Sequence, residues 1–95
     1  MDTEGVLDIG TRGIHLLFDT GAIVEAFGQD AAHLRDAVAG RLEEIQFAVE
    51  HLAMLPNAWE GRRFIELLPP EVRHILVLLY FELLDGKVRQ NPMRH

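Results

Sequence analysis

Neither cysteine nor serine occurs in this 95-residue chain. The first absence removes disulfides and thiolate metal sites, and it makes a reducing compartment the simplest setting. Together the two absences take away the usual nucleophiles of acyl transfer, which argues against a hydrolase. Positive charge is also scarce, with nine Lys and Arg against fifteen Asp and Glu and a formal charge of −6. Arg62-Arg63 is the only basic pair. Such a surface repels nucleic-acid phosphates, so no nucleic-acid partner is expected. Long apolar runs are missing too. The longest, residues 75–81, falls far short of the ~20 residues that cross a bilayer. The opening MDTEGV lacks the pattern of a secretion signal. A cytoplasmic protein with no membrane partner is the expectation.

Apolar residues, by contrast, make up 48% of the chain. A single domain of this size buries only about two thirds of the surface its unfolded chain exposes. Small folds compensate with disulfides, metals or oligomerisation. Without cysteine, association with a second copy is the route left open.

The first 28 residues differ in texture from the rest. Three short apolar runs, GVLDIG, GIHLLFD and AIVEAFG, are separated by GTRG and DTG. Ile14, Leu16 and Phe18 alternate with His15, Leu17 and Asp19, which predicts strands. Gly10 and Gly13 bracket one turn, and Gly21 suits the left-handed position that closes a hairpin. An antiparallel meander of two or three strands is expected over 5–28. The alternative for its last part is a helix with Asp19 as N-cap, stopped by Gly28.

From Gln29 the period becomes helical. Asp30 is a good N-cap, and Leu34, Val38, Leu42, Ile45, Val49 and Leu52 recur at steps of three and four. One long helix is predicted over 30–54, ended by Leu55-Pro56, with Gly40 inside it at a cost of roughly 1 kcal/mol. Asn57 caps a second helix over 58–68, with Glu60 at the capping-box position. Pro70 opens a third helix over 70–85, with Gly86 as its stop, and 87–95 forms a flexible tail. The expected architecture is a single α+β domain, a small meander followed by three helices.

The stretch ILVLLYFELL at 75–84 is apolar almost all round. Such a helix is either central in its own domain or meets a second subunit. Trp59, Phe64, Leu76, Leu79, Tyr80, Phe81 and Leu83 are the candidate interaction residues, since large apolar and aromatic side chains anchor buried interfaces. Trp59 with Arg62 and Arg63 forms the alternative site, where stacking and bidentate contacts would hold a small anion.

Two local likenesses bear on chemistry. Residues 16–22, LLFDTGA, resemble the catalytic loop of retroviral-type aspartic proteases, in which two Asp-Thr-Gly copies share a proton. The resemblance would make Asp19 the catalytic carboxylate, braced by Thr20 and Gly21. That family is nearly all β with a glycine-rich flap, whereas helical periodicity follows here, so a turn is the expected role of DTG. Leu68, Pro69, Arg73, Leu76, Leu78, Tyr80, Phe81 and Glu82 resemble the opening of region 4 of bacterial sigma factors. This likeness covers a structural helix. The nine residues after Gly86 are too few for a turn and a recognition helix. His15, His33, His51 and His74 are scattered, without metal spacing inside one helix, and GTRG is not a phosphate loop.

The function expected is a small non-enzymatic protein–protein interaction or regulatory module acting as a homo-oligomer, most simply a homodimer. A protein client is a further possible partner. No cofactor and no metal are expected. The alternative is a regulator that binds a small anionic molecule near Trp59, Arg62 and Arg63.

Overall fold

The computed structural model describes residues 3–89, and all regular structure among them is helical. The elements are α1 (Thr3–Gly10), α2 (Thr20–Phe27), α3 (Ala31–Gly40), α4 (Leu42–Met54), α5 (Ala58–Glu66) and α6 (Pro70–Arg89). The meander expected over 5–28 is therefore absent among the described residues, and the α+β class is corrected to all-α.

The correction has a local cause at each end of that segment. GVLDIG forms the body of α1, with Val6 and Leu7 buried. Its end is closed at Gly13, the only described glycine with positive φ, at +89°. There Gly13 N–H donates to the Gly10 carbonyl at 2.9 Å, and Ile14 N–H donates to Ile9 at 3.3 Å. This is the reversed pairing of a helix C-terminus closed by a left-handed glycine. The turn at 10–13 was legible; a helix, not a strand, enters it. Gly10 has a different reason to be glycine. A Cβ there would run into the Tyr80 hydroxyl and would lie 2.9 Å from a Leu84 methyl, so α1 approaches α6 backbone-first.

At the second site the helix alternative prevails. Asp19 is extended (φ −82°, ψ 169°), and its Oδ1 accepts the Ala22 N–H at 2.7 Å. That satisfies one of the free amides of the first turn. Ala22/Ala26 and Ile23/Phe27 are each four apart, which is one turn of helix as well as an alternation. Ala26 is completely buried, and its small side chain lets α2 lie close against α6, the most extensive helix contact in the fold. Between α1 and α2 the chain sends Leu17 and Phe18 into the core without pairing as a strand.

The long helix over 30–54 is two helices. Gly40 ends α3, and Arg41 (φ −131°, ψ 26°) serves as C-cap of one helix and N-cap of the next. The break falls beside the glycine, where helical propensity is weakest. The apolar seam divides only later, within α4. Leu34, Ala37 and Ile45 pack with Ile75 in a small cluster, while Ala48 and Leu52 join the main core. Asn57 caps α5 as expected, accepting the Glu60 N–H at 2.9 Å.

The third expected helix, now α6, is the centre of the molecule. Val72, His74, Ile75, Leu76, Val77, Tyr80 and Leu84 are all buried, and α1, α2, α3 and α4 pack around it. Each fully buried apolar side chain contributes about 1.5–3 kcal/mol of transfer free energy. Gly86 does not stop α6, which continues to Arg89. Lys87 there reaches Glu4 Oε2 at 2.8 Å and Asp8 Oδ1 at 3.0 Å, tying the end of α6 to α1. Residues 87–89 are thus helical, and the rest of the expected tail lies outside the described residues.

Candidate functional site

An apolar groove opens where α1, the 14–18 segment, α4 and α6 meet. Leu76, Tyr80, Leu17 and Phe18, all buried, form its floor. Val49 on α4 and Leu79 and Leu83 on α6 form its rim, at 44%, 41% and 56% exposure. The recess measures about 120 Å³ and its lining is almost wholly apolar. Drug-sized ligands occupy pockets of about 300 Å³ or more, so this one admits a large side chain rather than a ligand of that size.

Four of the seven candidate interaction residues meet in this groove: Leu76, Leu79, Tyr80 and Leu83. Phe81 lies elsewhere, its ring 5.0 Å from that of His15 and 5.3 Å from that of Phe27. Phe64 is half-buried beside His51, at a centroid distance of 4.6 Å, and His51 in turn stacks on Phe47 at 5.8 Å. Trp59 is exposed at the start of α5.

Tyr80 is held from the groove's back wall. Its hydroxyl is 2.7 Å from His15 Nδ1, and burial pushes the phenol pKa up. The neutral phenol keeps both its donor and its acceptor capacity, so it pairs with Nδ1 in either imidazole tautomer. The aromatic group of His15, Phe18, Tyr80 and Phe81 meets edge-on or tilted, with centroids 5.0–5.5 Å apart. Such arrangements stabilise beyond area burial alone.

The alternative anion site is not assembled as a cationic pocket. Trp59, Arg62 and Arg63 fall within one turn of α5, but carboxylates surround them. Arg62 lies 3.8 Å from Asp19 and 3.7 Å from Glu66, and Arg63 shares a shallow depression with Glu60. An anion there would compete with three carboxylates for two guanidinium groups. Asp19 has both oxygens engaged, one by the α2 amide and the other facing Arg62.

Sequence reasoning missed Val6, Leu7, Leu17 and Phe18 as groove residues, because strands were expected there. It named His74 but missed its partner: the ring is 6% exposed at the α2–α6 contact, with Nε2 3.1 Å from Glu25 Oε1. That nitrogen is buried and makes no hydrogen bond among the described residues. The spacing of four between Ala22 and Ala26 was the available signal for α2 and so for this pairing. Among the described residues, no three His, Cys, Asp or Glu side chains gather as a metal site, and no helix is long and apolar enough to cross a membrane. No family model matches the chain, and no curated protein or solved structure is significantly similar to it.

Proposed function

We propose that the chain is a small non-enzymatic protein–protein interaction module that works as a homo-oligomer, most simply a dimer. One observation supports this reading most: α4 is apolar on more sides than the chain covers. Its buried stripe is Ile45 and Ala48. Leu42 and Val49 remain exposed on one flank, and Phe47 and Met54 on another. The second flank joins the half-buried Phe64 through His51, and Leu67, one turn beyond Phe64, is exposed as well. A surface of two phenylalanines with flanking Met and Leu has the composition of an interface core.

In this reading the Phe47–Met54 flank meets its own copy, which leaves the groove flank for a client. Light scattering coupled to size exclusion tests the assignment. Phe47→Glu lowers the mass to that of one chain, with the variant folded by circular dichroism. An oligomer that survives Phe47→Glu contradicts the assignment.

A further inference from the structure

We infer that α1 is a hinged strap, latched to the end of α6 by Lys87, and that its release uncovers the Tyr80–Leu84 face of α6. The use of such a strap as a gate rests on the interaction-module reading; the latch itself does not.

Three observations carry it. The first is how little packing holds α1. It has eight residues, and helices shorter than about 12 residues are marginal on their own. Its buried apolar side chains are Val6 and Leu7. Of α1, α2, α3 and α4, which pack around α6, α1 makes the smallest contact. Elements with few buried apolar contacts open at a lower free energy than the core does. The second is the latch. Lys87 is the one lysine in the chain. It joins Glu4 at 2.8 Å and Asp8 at 3.0 Å, two carboxylates one turn apart on α1. TEGVLDIG has no cation of its own, and among the described residues only Lys87 pairs with either carboxylate. Arg89, the other cation in the last turn of α6, is paired with Asp85 at 2.9 Å. A helix C-terminus carries negative partial charge, so without Lys87 both carboxylates face a repelling end.

The third observation is the joint and what lies under the strap. Gly13, at φ +89°, closes α1, and the 14–18 segment that follows has no regular structure. α1 therefore swings as a unit without breaking another helix. Gly10 lies against Tyr80 and Leu84, and these two stand in one row with Lys87 along α6, at steps of four and three. Undocking α1 takes Val6 and Leu7 out of the groove lining and uncovers Tyr80 and Leu84. A recess of about 120 Å³ becomes a longer apolar strip, the kind of surface that marks association sites. The Tyr80 hydroxyl keeps its His15 partner throughout, so release orphans no polar group there.

Amide hydrogen exchange of the full chain tests the latch. In the wild type, α1 amides are expected to exchange at least about tenfold faster than those of central α6. Lys87→Gln is expected to speed α1 exchange by a further threefold or so while α3 and α4 stay unaltered. Lys87→Arg keeps the charge and is expected to leave α1 near the wild-type rate. Glu4→Gln/Asp8→Asn removes the latch from the other side, touches no buried residue, and is expected to act as Lys87→Gln does. Nile red, a neutral apolar dye, reads the uncovered face: its fluorescence rises with Lys87→Gln and not with Lys87→Arg. If α1 exchange keeps pace with α6 in every variant, α1 opens only with the whole fold and the inference is overturned. Equal acceleration of all helices, or the same acceleration in Lys87→Arg, overturns it too. Faster α1 exchange without a dye response overturns the uncovering of α6. Mass measured in parallel separates the two claims: a monomer with a working latch defeats self-association alone, and a dimer with a fixed α1 defeats the strap alone.

Discussion

The ring of His15 hydrogen bonds to the hydroxyl of Tyr80 across 65 residues of sequence, at 2.7 Å. It joins the 14–18 segment, which has no regular structure, to the central helix and fixes the back of the groove. Removing the hydroxyl tests its weight. Tyr80→Phe keeps the ring packing and is expected to lower stability by about 0.5–1.5 kcal/mol, the net value of one such bond. Urea unfolding measures it. A loss of several kcal/mol would mean that the bond anchors the whole segment.

Two glycines are expected to respond with opposite signs. Gly10→Ala places a methyl group against Tyr80 and Leu84, and overpacking of that kind costs about 1–3 kcal/mol. At Gly40 a new Cβ meets nothing within 4 Å. Gly40→Ala is expected to stabilise by about 0.4–1 kcal/mol, since it restricts the unfolded chain without a clash. Melting temperatures of the two variants decide the matter, and equal shifts in one direction would contradict it.

Asp19 is expected to behave as a cap. Asp19→Ala removes the acceptor for the Ala22 amide and should cost about 0.5–2 kcal/mol. Asp19→Asn retains a capping oxygen and should cost much less, with only the loose ion pair to Arg62 weakened. Denaturant titration of both variants distinguishes the roles. A variant pair with equal losses would point to the charge rather than the cap.

The same residue marks what the sequence allowed and what it withheld. The hairpin turn expected at DTG does not form, since Thr20 and Gly21 begin α2 and Gly21 is not left-handed; the Asp19 cap was legible only as the alternative, whereas the Asn57 cap and the Pro70 start of α6 were legible outright. The type of element around DTG was not, because four-residue spacing in short apolar runs fits a strand and a helix alike. The break at Arg41 was hidden for another reason: the apolar pattern runs on through it, and Ile45 beyond the break still packs with Leu34 and Ala37 before it. At the groove, Leu79 and Leu83 were legible from the uniform apolarity of 75–84. The rest of its lining was not, since Val6 and Leu17 reach it only through the fold.

Alkaline pH is expected to weaken the fold at two points. Hydrogen bonds to Glu4 and then Asp8 raise the Lys87 pKa above the ordinary 10.5, and burial raises that of Tyr80 above 10.0. In both cases the folded state holds its proton longer than the unfolded one. Stability from these groups is therefore fully present well below pH 10.0, the midpoint of the unfolded phenol, and is lost as pH rises through the folded values. Urea midpoints measured across this range should fall with pH. Lys87→Met and Tyr80→Phe should each flatten the slope, and a slope unaltered in the double variant would refute the assignment.

Sedimentation equilibrium of the wild-type chain, over a wide span of concentration, tests self-association most directly. An interaction module that covers the Phe47–Met54 flank with its own copy gives twice the chain mass at the upper concentrations and falls towards one chain mass on dilution. A single chain mass at every concentration contradicts the homo-oligomer.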